Sequence, residues 1–170
     1  LKLCFLFVFH AIRQRVLKVA ERWMTERMGE GSEGLSAIFP AMLNAMMALQ
    51  VQGYGEDHPL MQKAWSDFCG LFVDDGDDFR IQPCLSPVWD TAITTIALGE
   101  SGVGAAHPAL RRAAAWLEAR EVRFRGDWSL RMPTLEPSGW AFEHANKYYP
   151  DTDDTMMVLM ALNQVEPEDP

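Results

Sequence analysis

Residues 48–64 read Ala48-Leu49-Gln50-Val51-Gln52-Gly53-Tyr54-Gly55-Glu56-Asp57-His58-Pro59-Leu60-Met61-Gln62-Lys63-Ala64, and their skeleton returns further along the chain. Ala48-Leu49, Gly53, His58-Pro59 and Lys63-Ala64 recur as Ala97-Leu98, Gly102, His107-Pro108 and Arg112-Ala113, always 49 residues on. Two helices and their connections fit in that interval, which is the mark of a stacked helix-pair array. His58 and His107 each precede a proline, as residues do that open a helix with proline at its first position. A second echo pairs Ala20, Trp23, Met24 and Arg27 with Ala113, Trp116, Leu117 and Arg120.

Working outward, the apolar spacing and the proline positions predict helices over 11–28, 40–52, 59–72, 87–98, 108–121 and 152–163. Four of them open with Pro40, Pro59, Pro87 and Pro108. No segment alternates convincingly enough to be a strand. The acidic Asp74-Asp75-Gly76-Asp77-Asp78 reads as a solvated turn, since it lacks the regular alternation and terminal Glu of a calcium loop. The segment from Val122 to Pro150 is a long loop with Phe124, Trp128, Trp140, Phe142, Tyr148 and Tyr149. So many aromatics disfavour disorder and point to packing or function.

The chemistry-bearing stretch follows that loop. Tyr148-Tyr149-Pro150-Asp151-Thr152-Asp153-Asp154-Thr155 sets three carboxylates in four positions at the mouth of an uncharged helix, Met156 to Leu162. Asp151 is a natural N-cap. Carboxylates this crowded cannot all ionise cheaply, so at least one holds a proton near neutral pH, while the helix N-terminus favours negative charge on its neighbours. A proton so held can be delivered to a weak base, even a carbon–carbon double bond, if aromatic faces and not water surround the cation that forms. An acidic first turn that only caps its helix fits the same residues, and so does a magnesium site.

Charge and cysteine usage exclude other classes. With 24 acidic and 15 basic residues among 170 the formal charge is −9, which argues against a nucleic-acid partner. Cys4, Cys69 and Cys84 read as reduced thiols, and no Cys/His spacing suggests zinc. The first twenty residues carry Lys2, Arg13, Arg15 and Lys18 with no acid, around the apolar run Leu3-Cys4-Phe5-Leu6-Phe7-Val8-Phe9. That run is too short to span a bilayer, which takes about 20 residues. It reads either as a core element or as a segment that dips into one leaflet while its cations meet headgroups.

Four further stretches single out a family when taken with the acids. Gln82-Pro83-Cys84-Leu85-Ser86-Pro87-Val88-Trp89-Asp90-Thr91, Gly126-Asp127-Trp128, Gly139-Trp140-Ala141-Phe142 and, upstream, Ile38-Phe39-Pro40-Ala41-Met42-Leu43-Asn44-Ala45 stand in the order and spacing of the squalene-hopene cyclases. The chain resembles these class II triterpene cyclases over essentially its whole length, as an internal piece of a longer enzyme. The resemblance implies an all-α fold, the α/α toroid. It places the end of one toroid domain at 1–75, with a membrane-contacting segment at 1–20, and the start of the catalytic toroid at 76–170. Ala113-Trp116 through Trp128 resembles the Gln-Trp motif that recurs in the family, with Glu121 for the usual Gln and Ala113 for the usual Gly. The earlier copy is more degenerate, with Met28 and Glu33 at the Gln and Trp places.

The same resemblance implies roles. Asp153 is the proton donor to the terminal double bond of squalene, with Asp151 and Asp154 tuning it. Ser86 is the N-cap of the helix that carries Trp89 and Asp90, where Trp89 shapes the cavity and Asp90 holds hydrogen bonds on the acid side. Phe142 faces the growing cation, and Phe39, Pro40 and Asn44 line the channel. Trp128 and Tyr148 are expected to pack in the core. Met156 replaces a usual small Ala, which implies altered packing beneath the acid. The implied reaction needs no metal or organic cofactor, and its product is hopene, hopanol or a related polycycle. The implied partners are squalene or a related polyprenoid, the cytoplasmic face of the cell membrane (monotopic) and a second copy in a homodimer; the piece alone is expected to be inactive. Two rivals stand beside it: a class II diterpene cyclase, which shares the Asp-x-Asp-Asp acid, and a non-catalytic helical-repeat module.

Overall fold

The computed structural model describes residues 2–29 and 35–166, with side chains from Phe9 onward in the first helix. Among these residues run six α-helices, α1 (Lys2–Arg27), α2 (Phe39–Val51), α3 (Pro59–Cys69), α4 (Pro87–Glu100), α5 (Pro108–Glu118) and α6 (Thr152–Leu162). Two short strands, β1 (Phe72–Asp74) and β2 (Phe79–Ile81), lie between α3 and α4, and a 3₁₀ turn covers Asp127–Leu130. The chain divides into two compact units, 1–81 and 82–170.

In the first unit α2 packs on α3. Pro40 falls in the first turn of α2, where its missing N–H costs nothing, and Met42, Ala45, Met46 and Leu49 form the buried stripe. Glu21 of α1 accepts the Tyr54 hydroxyl at 2.7 Å and so ties α1 to the α2–α3 connection. An aromatic cluster follows, in which Phe68 meets Phe39 at 5.2 Å and Phe72 at 5.5 Å between ring centroids. The strands pair antiparallel as Phe72 with Ile81, Val73 with Arg80 and Asp74 with Phe79. They correct the strand-free reading. At three residues each they are too short to alternate visibly, and the aspartate-rich turn closes them: Asp74 accepts from the Gly76 N–H, and Gly76 sits at φ 86°.

Helix bounds differ from expectation where packing intervenes. α1 begins at Lys2 and not at Ala11, for nothing in the apolar run Leu3–Phe9 breaks a helix. The side chains of residues 3–8 in that run lie outside the described residues, as does Glu33. α3 stops at Cys69, capped by Gly70, and Phe72 joins β1 instead. α5 stops at Glu118, after which the Val122 N–H donates to the Gly139 carbonyl at 2.7 Å. The chain thus leaves the helix to pair with the aromatic loop.

In the second unit α6 packs against α4 and α5. Its core is Val88, Ala92, Leu117, Trp140, Val158 and Ala161, with Ile96, Trp116, Met157 and Leu162 around it. Burying aliphatic side chains of this size is worth about 1.5–3 kcal/mol each. Trp140, on the loop, is therefore a core residue, and its indole Nε1–H donates to the Leu117 carbonyl at 2.6 Å. Met156 is exposed, and the residues buried along α6 beyond the acids are Val158 and Ala161.

Both sequence echoes are structural repeats. Gly53 and Gly102 hold φ of 95° and 91°, the Tyr54 and Val103 N–H groups return to the Leu49 and Leu98 carbonyls at 3.1 Å, and His58 and His107 cap α3 and α5. Each His accepts through Nδ1 from the N–H two residues on, at 3.2 and 3.1 Å. In the other echo Arg27 and Arg120 each donate to the carbonyl of the tryptophan one turn back at 3.0 Å, with the guanidinium 4.4 and 3.4 Å from the ring centroid of Trp23 and Trp116.

Candidate active site

The mouth of α6 is built by a strap of loop across the core. Trp140 pairs with Asp151 in an isolated antiparallel bridge, with the Asp151 N–H donating to the Trp140 carbonyl at 3.0 Å. On its other side the Trp140 N–H donates to the Thr155 hydroxyl oxygen at 3.0 Å. The buried indole anchors this strap, so the acids sit on a fixed frame. A Cβ at Gly139 would be tight, 3.0 Å from the Thr155 hydroxyl and 3.3 Å from the Pro150 side chain.

On that frame Asp151 takes the N-cap position with an extended backbone, and its Oδ1 accepts the Asp154 N–H at 2.8 Å. Asp153 and Asp154 occupy the first turn and diverge. Asp153 is exposed, while Asp154 points inward and is 3% exposed. Burial pushes the Asp154 carboxyl up to about 7, assisted by its hydrogen bond with Asp151 and by the negative charges of Asp151, Glu143 and Asp153. Burial, more than the crowding of the three carboxylates, is therefore what favours the protonated form of Asp154. The Oδ1 of Asp154 has no hydrogen-bond partner among the described residues.

Ser86 does precede α4 as its N-cap, but its hydroxyl donates to Asp90 Oδ2 at 3.1 Å and makes no backbone cap bond. Asp90 is exposed, and Trp89 and Phe142 are half-buried. These three and the acids belong to the second unit. Phe39, Pro40 and Asn44 lie on α2 of the first unit, where Phe39 meets Phe68 at a tilt of 46° and the other two are exposed. Trp128 and Tyr148 are half-buried, and Tyr148 meets Phe124 edge-on at 5.3 Å. Among the described residues no three His, Cys, Asp or Glu side chains are disposed to hold a metal ion.

Residues 1–77 match the squalene-hopene cyclase N-terminal domain and residues 85–170 match the squalene-hopene cyclase C-terminal domain. The chain belongs to the squalene-hopene cyclase family. It is 37% identical over 159 residues to the squalene–hopene cyclase of Bradyrhizobium diazoefficiens, an alignment that covers 93% of this chain and 24% of the relative. The squalene–hopene cyclase of Zymomonas mobilis is 39% identical over 160 residues, 90% of this chain and 24% of that protein. The dammaradiene synthase of Dryopteris crassirhizoma is 36% identical over 147 residues, 86% and 21% respectively. The chain spans about a quarter of the length of the curated squalene–hopene cyclases it matches. Its all-α helix pairs are those of the family's α/α toroid class.

The residues that sequence reasoning passed over are Glu143, Asn146 and Thr155. Glu143 is 4% exposed although it is a carboxylate, and Asn146 Nδ2 donates to both its oxygens at 3.2 and 3.0 Å. The signal was a lone acid directly after the aromatic run Trp140-Ala141-Phe142.

Proposed function

We propose that this chain carries the acid of a squalene–hopene cyclase, with Asp153 as the group that gives its proton to the terminal double bond of squalene. The observation that carries this reading is the divergence of the two first-turn acids. Asp154 is buried and holds a proton near neutral pH, while Asp153, on the same turn, is open to a substrate. The proton forms a C–H bond at one alkene carbon and leaves a cation at the other. Each following double bond supplies the electron pair that closes a ring, and the last cation loses a proton or takes up water. Asp154 and Asp151 tune the donor. The N-terminus of α6 stabilises the carboxylate left behind once the proton has gone.

Trp89, Asp90 and Phe142 then belong to the cavity in which the cations form, where an aromatic face stabilises positive charge without trapping it. Phe39, Pro40 and Asn44 belong to the channel. Residues 1–75 are assigned to the end of one toroid domain and 76–170 to the start of the catalytic one. α1 supports contact with the cytoplasmic face of the membrane: Ile12, Val16, Val19 and Trp23 are exposed at helical spacing beside Arg13, Arg15 and Lys18. No described helix is long and apolar enough to cross a membrane.

The test is squalene cyclisation by the full-length protein in detergent, wild type beside Asp153→Asn, with products separated by gas chromatography. A pentacyclic product from the wild type and none from the variant is expected. A folded wild type that leaves squalene unchanged overturns the reading. The isolated 170 residues are expected to give no product, because they are a quarter of a cyclase's length.

A further inference from the structure

Phe142 and the acids stand on two limbs of one loop, and a single side chain ties the limbs together. The loop 141–150 is closed at its base by the bridge between Trp140 and Asp151. Further out, Asn146 reaches both limbs. Its Nδ2 donates to the two carboxyl oxygens of Glu143, the chain neighbour of Phe142, at 3.2 and 3.0 Å. Its Oδ1 accepts the N–H groups of Tyr148 at 3.1 Å and Tyr149 at 3.3 Å. Both halves of the amide are thus used, the nitrogen as donor to one limb and the oxygen as acceptor from the other. Between the base and this cross-tie run only Ala141 and Phe142 on one limb and Pro150 on the other. Ala141 and Glu143 are buried and Pro150 has a fixed φ, so neither short span has slack.

We infer that Asn146 is a positioning residue that holds Phe142 in register with the acid cluster, and so decides how far cyclisation runs before the cation is quenched. This rests on the reading of Asp153 as the proton donor and of Phe142 as a face for the cation. Protonation starts at the acid and the rings close away from it, so the aromatic face has to stand at a set distance from the carboxyls. Such a face acts only within about 6 Å of a cation. With the cross-tie cut, the Phe142 limb moves independently of the limb that enters Asp151. A cation that has lost its face gives up the proton of a neighbouring C–H bond to water, and the electron pair of that bond becomes a double bond. The hydrocarbon released has the formula of squalene and too few rings. Asn146 is half-buried and lies outside the core of the second unit, which is Val88, Ala92, Leu117, Trp140, Val158 and Ala161. The tie can therefore be removed with that core in place.

The test is the product profile of the full-length protein with squalene in detergent, read beside the unfolding midpoint of each variant. Asn146→Ala cuts the tie to both limbs. The expected result is a folded variant whose kcat falls about 10- to 100-fold, as a misplacement of about 1 Å produces, and whose partly cyclised share of product rises several-fold. Glu143→Gln combined with Asn146→Asp turns the cross-tie around: the introduced amide donates to the introduced carboxylate, which still accepts the two N–H groups. This double variant is expected to recover most of the pentacyclic share that Asn146→Asp alone loses. A folded Asn146→Ala with the product profile of the wild type overturns the inference, whatever its stability. So does a double variant whose profile is no better than the two single losses combined. Should Asn146→Ala not fold, the double variant beside its two singles carries the test. A wild type that cyclises nothing overturns the functional reading and this inference with it, whereas a pentacyclic product from both wild type and Asn146→Ala removes the inference alone.

Discussion

The Asp151 side chain accepts the Asp154 N–H at 2.8 Å, and this one contact acts on the site in two opposed ways. It satisfies a backbone donor that the first turn of α6 would otherwise leave open, which stabilises the helix. It also brings a carboxylate against the buried acid and so discourages Asp154 from ionising. The two effects separate by substitution. Asp151→Ala loses the cap and costs about 1 kcal/mol of stability at pH 5, where Asp154 is protonated. Asp151→Asn keeps an oxygen for the cap and costs only tenths of that, while Asp154 ionises at lower pH. Denaturant unfolding at pH 5 measures the first difference. An equal loss in the Asn and Ala variants would falsify the capping role.

The buried acid itself makes stability depend on pH, with a sign opposite to that of a salt-bridged aspartate. Asp154 rises from its ordinary 3.8 to about 7 on folding. Between those values the folded chain binds more protons than the unfolded one, so stability declines as pH climbs through that window. The contribution is fully present below about pH 4 and gone above about pH 7. Asp154→Asn removes the ionisable group and is expected to be more stable than wild type at pH 8 by on the order of 2–4 kcal/mol. Near pH 4 the two should be nearly equal. Unfolding free energies at both pH values decide this, and a variant advantage that is the same at each would count against a raised Asp154.

Much of this was legible in the sequence, for physical reasons that differ from element to element. The helix pairs α2–α3 and α4–α5 announced themselves because a His-Pro start and a glycine at positive φ are local requirements, met by few residue types. The capping by Asp151 was readable for the same reason. The divergence of Asp153 and Asp154 was not. Which of two adjacent helical residues turns inward depends on where Trp140 and Val158 bury themselves, and that is a tertiary fact. The hairpin of Phe72–Asp74 and Phe79–Ile81 was missed because three residues carry no periodicity. Glu143 was missed because a glutamate in a loop is ordinarily solvated, whereas this one is buried and bonded to Asn146.

The repeat permits a paired prediction. Gly53 and Gly102 both sit at positive φ, and a Cβ at either would meet nothing within 4 Å. The cost of Gly53→Ala and Gly102→Ala is therefore conformational and not steric, about 1 kcal/mol each. The two variants should match within about half of that, and the double variant should lose the sum, since the sites share no partner. Thermal unfolding of the three variants measures it. A cost at Gly102 several times that at Gly53 would mean that the two turns are not equivalent.

Trp140 joins the stability of the second unit to the geometry of the acids, and its substitution tests that link. Its indole fills the core among Val88, Leu117 and Val158, its Nε1–H satisfies the buried Leu117 carbonyl at 2.6 Å, and its backbone holds Asp151 and Thr155. Trp140→Phe keeps a ring but loses this one bond, while the Arg120 N–H still donates to the same carbonyl at 2.9 Å, so the cost is about 0.5–1.5 kcal/mol. Trp140→Ala also opens a cavity, and the cost rises to about 3–5 kcal/mol. With the strap loosened, water reaches Asp154 and its carboxyl returns toward the ordinary range. The pH-dependent loss of stability should then shift to lower pH in Trp140→Ala, and less so in Trp140→Phe. Urea unfolding across pH 4 to 8 reads both quantities, and a variant that loses stability without moving the pH midpoint would break the link between core and acid.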